Sequence, residues 1–140
     1  MSDAVLQEII AEFSLFDDWE DKYAYLIDLG KKLPPLPQSD RTDANKVHGC
    51  TSTVWLVLRQ VSGTPARYEF AADSDAHIVK GLVAVLLRIY SGKTAQEIGA
   101  LDIQYFFNAL GLHQYLSPSR SNGFFAMVQR VRALAAANSS

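Results

Sequence analysis

Two strand-like runs stand side by side in the middle of this chain, with helical periodicity before and after them, and that arrangement limits the fold more than any other feature. The first run, Thr51-Ser52-Thr53-Val54-Trp55-Leu56-Val57-Leu58, is rich in β-branched residues and reaches about Val61. Ser62-Gly63-Thr64-Pro65 follows as a turn signal, and Ala66-Arg67-Tyr68-Glu69-Phe70 then alternates as a short half-buried strand does. The two runs pair most simply as an antiparallel hairpin. Helices on both sides in sequence predict an α+β fold, a small antiparallel sheet covered by helices.

Val5, Leu6, Ile9, Ile10 and Phe13 recur at helical spacing. Asp17 stands as N-cap to a second stripe, Trp19, Tyr23, Leu26 and Ile27, that ends at Gly30 beside Lys31 and Lys32. Leu33-Pro34-Pro35-Leu36-Pro37 cannot continue a helix, because proline lacks the N–H and pushes its predecessor to extended angles. From there to Gly49 the chain reads as a polar surface loop. Asp73-Ser74-Asp75 offers N-cap oxygens to a helix whose apolar positions Ile78, Val79, Leu82, Val83, Leu86 and Leu87 run to Tyr90, with Gly92 as its stop. Thr94 to Ile98 reads as a short capped turn, Asp102 to Leu110 as a helix ended by Gly111, and Pro118 to about Ala136 as a last helix. Phe106, Phe107, Phe124 and Phe125 are expected in the core.

With 140 residues, 49% of them hydrophobic, the chain fits one domain over 1–140. A domain of this length buries about 70% of the surface its unfolded form exposes. A net charge of −2, from 13 basic and 15 acidic residues, provides no electrostatic footprint for nucleic acid. No apolar run approaches the roughly 20 residues that span a bilayer, and the start Met-Ser-Asp-Ala has acidic flanks, so neither membrane insertion nor secretion is expected. A single cysteine forms no internal disulfide and supplies neither a structural zinc nor an iron–sulfur ligand set with His48, His77 and His113. No phosphate-cradling glycine motif occurs, and no tightly bound cofactor is expected. A free thiol survives best where the cell keeps thiols reduced, which makes the cytoplasm the expected compartment.

That thiol, Cys50, closes the turn-prone segment Lys46-Val47-His48-Gly49-Cys50 and directly precedes the first strand. A lone cysteine is commonly a small buried hydrophobe. Here its neighbours His48, Gly49, Thr51 and Ser52 are small or polar, which suits a thiol presented to another molecule. His48 is a solvated loop residue or a proton partner for Cys50, although adjacent side chains on extended backbone point apart. Asp73 and Asp75 serve as first-turn acids of the following helix or tie down the Cys50 loop by hydrogen bonds. Lys80 and Gly81 mark a polar edge and a close helix contact. Arg120, among Ser119, Ser121 and Asn122, is either a structural anchor or a charge that steadies a thiolate at Cys50.

Three blocks carry a family resemblance: Val47-His48-Gly49-Cys50-Thr51-Ser52-Thr53-Val54-Trp55, then Asp73-Ser74-Asp75-Ala76 with Ile78-Val79-Lys80-Gly81-Leu82, then Leu116-Ser117-Pro118-Ser119-Arg120-Ser121-Asn122-Gly123. In order and spacing they resemble the SufE family, from about Trp19 through the last helix. The resemblance implies a fold like that of IscU-type scaffolds and an accessory sulfur acceptor rather than an enzyme. Its partners would be a cysteine desulfurase of the SufS type, which holds the pyridoxal phosphate (PLP), and an iron–sulfur scaffold of the SufBCD type. By that likeness Cys50 receives sulfur as a persulfide. IscU-type scaffolds carry several cysteines where this chain has one, so carrying sulfur fits and building a cluster does not. The chemistry agrees, since transfer between sulfurs is a thiolate displacement and a carrier without a resolving cysteine cannot expel its cargo by closing a disulfide. An apolar pocket, with Trp55 or Val54 nearby, is expected to shelter the persulfide. Alternatives are a CsdE-type acceptor for a CsdA-type desulfurase, a pure activator that carries no sulfur, and a cysteine hydrolase pairing Cys50 with His77 or His113. Oligomeric state stays open, a homodimer included.

Overall fold

In the computed structural model, residues 4–49 and 52–138 are described, Gln60 by its backbone alone. Strands β1 (Val54–Ser62) and β2 (Arg67–Ser74) form the hairpin. Their antiparallel register runs from Val54 opposite Ser74 to Ser62 opposite Arg67 and shifts between Leu58 and Gln60. Strand β2 is longer than its alternating segment suggested, because pairing with β1 continues through Asp73 and Ser74. In β1, by contrast, Ser52 and Thr53 precede the strand. A two-residue strand β3 (Lys93–Thr94), too short to leave a periodic signal, joins β2 on its other side and makes the sheet order β1-β2-β3. Val54 and Leu56 of β1 and Tyr68, Phe70 and Ala72 of β2 are buried.

Helix α3 (His77–Tyr90) lies at the centre, with ten of its fourteen residues buried. Helices α1 (Ala4–Ser14) and α2 (Trp19–Lys31) precede the sheet; α4 (Ala95–Ala100), α5 (Ile103–Ala109), the single turn α6 (Leu112–Tyr115) and the long α7 (Pro118–Asn138) follow it. Asp18, not Asp17, caps α2 by accepting the Asp21 amide at 2.9 Å. Gly30 does not stop that helix, which continues to Lys31. It is buried against α3 instead, since a Cβ there would sit 2.8 Å from the Gly81 nitrogen. The expected turn at Thr94 is a capping box: Thr94 Oγ1 accepts the Glu97 amide at 3.1 Å, and the Glu97 carboxylate accepts the Thr94 amide at 2.9 Å. Among the described residues no helix is long and apolar enough to cross a membrane.

One charged cluster joins the first three helices. Both Glu12 oxygens accept from the Arg88 guanidinium, at 3.0 and 3.1 Å, and Glu12 also accepts from the Tyr25 hydroxyl. The Arg88 bond, then that of Tyr25, holds the Glu12 carboxyl below its ordinary range, while burial and the bond to Glu12 push Tyr25 up to about 12. A lowered carboxyl pKa stabilises the fold above the unfolded value of about 4.3, and the effect is lost as pH falls through the folded value. Glu12→Gln is therefore expected to lower the melting temperature at neutral pH, with the gap to wild type closing in acid below about pH 4. A pH series of thermal melts checks this, and a gap that stays constant would refute it.

Candidate functional site

Cys50 and Thr51 lie outside the described residues, so the site is built from the chain on either side of them. On the incoming arm, the Val47 amide donates to the Val54 carbonyl at 2.8 Å, and Lys46 bridges to Trp55. Gly49 has φ +96°, open to glycine and strained for other residues, and a Cβ there would stand 3.2 Å from the Cβ of Ala126 on α7. On the outgoing arm, the Thr53 amide donates to Asp75 Oδ1 at 3.1 Å and its carbonyl accepts the Ser74 hydroxyl at 2.8 Å. Both arms are tied, one to α7 and β1, the other to the turn between β2 and α3.

Asp73, Ser74 and Asp75 are thus not the caps that their sequence suggests. The N-cap of α3 is Ala76, with no side-chain cap bond. Sheet pairing holds Asp73 and Ser74 in β2, and the Asp75 side chain turns back to Thr53. Asp73, 3% exposed, lies between the Arg41 guanidinium and Lys80 Nζ, the latter at 3.4 Å, and accepts the Ser74 amide at 2.8 Å. Arg41 also donates to the Leu36 carbonyl at 3.2 Å and stands 5.0 Å over the Trp55 ring. Residues 38–49 are accordingly no loose surface loop. They form two 3-10 turns, Gln38–Asp40 and Asp43–Asn45, with Leu36 and Val47 buried on either side. Arg59 holds Asp40 at 3.0 Å, and Arg130 of α7 donates to the Ala44 carbonyl at 3.0 Å.

Ser52 opens onto a small cavity under the first half of α7. Val79, Leu82, Gly123, Phe124 and Met127 supply its apolar lining, and Ser52, Ser119 and Arg120 its polar lining. Its volume of about 10 Å³ matches one water-sized guest. Val54 and Trp55 do not line it. Val54 lines a second recess, of about 240 Å³, together with Lys46, Val47, His48 and Gly49 from one side of Cys50 and Ser52 and Thr53 from the other, and Trp55 is taken up by Arg41. The side chains that form the wall come from α3 and α7, whose approach no local pattern announces. His48, His77 and His113 are all exposed, and none lines the cavity.

Arg120, in the first turn of α7, donates from one terminal nitrogen to the Tyr23 hydroxyl at 2.6 Å, with its guanidinium carbon 5.8 Å from the centre of that ring. Its main-chain amide donates to Ser117 Oγ at 3.3 Å. Tyr23 meets Trp19 edge to face at 5.7 Å, and Trp19 stacks on Tyr115 at 3.7 Å and 11°. Trp19 and Tyr23 were legible as one helical stripe, but not the hydroxyl's role. Arg41 left no sequence signal at all.

A sheet-and-helix α+β domain with one cysteine between two anchored arms, and a guanidinium in the cavity that Ser52 lines, defines a class of single-thiol proteins. The chain belongs to the SufE family: the family model described as an Fe-S metabolism associated domain matches residues 7–135. An uncharacterized SufE-like protein of Rhizobium etli is 53% identical over 131 residues, 92% of this chain and 88% of its own. Another, of Rhizobium meliloti, is 46% identical over 128 residues, 91% of each chain. The solution structure of a hypothetical protein from Thermus thermophilus superposes with a TM-score of 0.76 at 19% identity, covering 98% of this chain and 97% of that one, and shows the shared fold.

Proposed function

We propose that this protein is a sulfur carrier of iron–sulfur cluster assembly. Cys50 takes sulfur from a PLP-dependent cysteine desulfurase of the SufS type, raises its turnover, and delivers the sulfur to a scaffold of the SufBCD type. The thiolate of Cys50 attacks the terminal sulfur of the partner's cysteine persulfide. The S–S bond of that persulfide breaks, the partner cysteine leaves as thiolate, and Cys50 becomes the persulfide with no net change of oxidation state. The reaction takes place in the cytoplasm and asks no cofactor of this chain.

The observation that carries this reading is that Ser52, on the outgoing arm of Cys50, lines a cavity with a guanidinium on its wall. Gly49 lies against Ala126, and Ser52 opens on the space walled by Val79, Leu82, Phe124 and Met127, with Arg120 as its single charged side chain. A cationic group beside a thiol favours the thiolate, the form that attacks. An apolar wall protects a persulfide from outside thiols. The bonds of Thr53 to Ser74 and Asp75 keep the outgoing arm in place. Gly49 allows the incoming arm its close approach, and Asp73 acts at one remove by fixing Arg41 and the 3-10 turns. His48 is exposed beside Gly49 and does not line the cavity that Arg120 lines. Family membership in Fe-S metabolism supports the same reading.

Intact mass after incubation with a SufS-type desulfurase and L-cysteine tests it. The expected result is a gain of one or more sulfur atoms, removed by reductant and mapped to Cys50. No gain under turnover conditions would refute the proposal. Uptake from a CsdA-type enzyme in preference to a SufS-type one would move the protein to the CsdE branch.

A further inference from the structure

We infer that Tyr23 is a positioning residue of the sulfur site, holding the Arg120 guanidinium on the cavity wall with its charge unspent; the inference rests on the carrier reading above. The remaining arginines of the described chain are committed elsewhere. Arg41, Arg59, Arg67 and Arg88 each meet a carboxylate, and Arg130 and Arg132 donate to main-chain carbonyls. Arg120 is anchored instead by a phenol. A carboxylate in that place would cancel the positive charge. A neutral hydroxyl accepts one N–H, fixes the plane of the fork, and leaves the other donors and the full charge for an anion.

The anchor is itself braced. The ring of Tyr23 abuts Trp19, and Trp19 stacks on Tyr115, one residue before Leu116 and the entry to α7. Arg120 is half-buried and lines the cavity that Ser52 opens on, so the guanidinium reaches that space from a side chain whose torsions are already restricted. A flexible arginine carries considerable rotamer entropy, and restricting it beforehand strengthens its action on an anion that forms only during transfer. The anion here is the thiolate of Cys50 before attack and its persulfide afterwards.

The test compares wild type, Tyr23→Phe, Arg120→Ala and the double variant, following the rate of Cys50 alkylation by iodoacetamide against pH in the absence of desulfurase. Phenylalanine keeps the ring and its contacts and removes only the hydroxyl. Arg120→Ala is expected to raise the midpoint of the profile by about one pH unit, since an opposite charge nearby lowers a thiol pKa by that order. Tyr23→Phe is expected to raise it by part of that shift, slowing alkylation at neutral pH about threefold, and to add nothing in the Arg120→Ala background. His48, Lys46, Lys80, Asp73 and Asp75 are present in all four proteins, so their titration cancels. A merely structural Tyr23 would alter thermal stability and leave the midpoint in place. An unmoved midpoint in Tyr23→Phe, or in Arg120→Ala, overturns the inference, as does a Tyr23→Phe shift that persists without Arg120. Because desulfurase is absent, failure of wild type to take up sulfur would refute the carrier reading without touching these profiles.

Discussion

Cys50→Ser is expected to abolish the rise in desulfurase turnover completely while leaving thermal stability near that of wild type. Serine matches cysteine closely in size, so the arms held by Val47, Gly49, Thr53 and Asp75 keep their bonds. Its hydroxyl is not ionised near neutral pH and is a poor nucleophile towards sulfur, so the partner's persulfide finds no acceptor. Turnover with L-cysteine then falls to the rate without this protein, and intact mass records no added sulfur. A pure activator would behave differently. Its variant would retain the stimulation because the docking surface is unchanged, and such retention would exclude the carrier. A cysteine hydrolase would affect desulfurase turnover in neither form.

The second large effect is expected at Gly81, where α3 crosses α2. A Cβ there would lie 2.1 Å from the Leu26 carbonyl oxygen and 2.6 Å from its carbon, distances that only backbone movement can relieve. Gly30 faces it across the same crossing, where a Cβ would stand 2.8 Å from the Gly81 nitrogen. Helices α2 and α3 therefore meet backbone to backbone. Alanine gains about 1 kcal/mol over glycine in helix propensity, while overpacking of a rigid contact costs about 3 kcal/mol or more. Gly81→Ala is expected to lose net stability of about 2 kcal/mol or more in a denaturant titration. Gly99→Ala is the control: it lies within α4, a Cβ there would meet nothing within 4 Å, and the change should be neutral or stabilising. Equal stability of the Gly81 variant and wild type would refute the close crossing. Since α2 carries Tyr23, a displaced helix should also shift the Cys50 alkylation profile in the direction expected for Tyr23→Phe.

How far the site could be read from sequence differs by residue. Helix α3 was legible because its apolar positions repeat over fourteen residues, and the hairpin because a turn signal separates two alternating runs. Helix α6 and strand β3 were missed, since one turn of helix and two strand residues are too short for any period to register. Asp73 and Asp75 could be read either as ties to the Cys50 loop, which Asp75 is through the Thr53 amide, or as caps, since Asp73-Ser74-Asp75 precedes a helix and has the right oxygens. Sheet pairing with β1 outweighed that preference, and the freed carboxylates went to Arg41, Lys80 and Thr53. The same competition turned residues 38–45 from an expected polar loop into two pinned turns.

Local order and the one thiol were determined by the sequence itself, because periodicity, turn residues and a cysteine count act over short separations. The surroundings of the thiol were decided by tertiary structure. Arg120 meets Tyr23 across a separation of 97 residues, and the cavity wall joins α3 to α7. Contacts of that kind depend on how helices cross over the sheet, and two glycines at the α2–α3 crossing set that distance more than any charged or apolar pattern does.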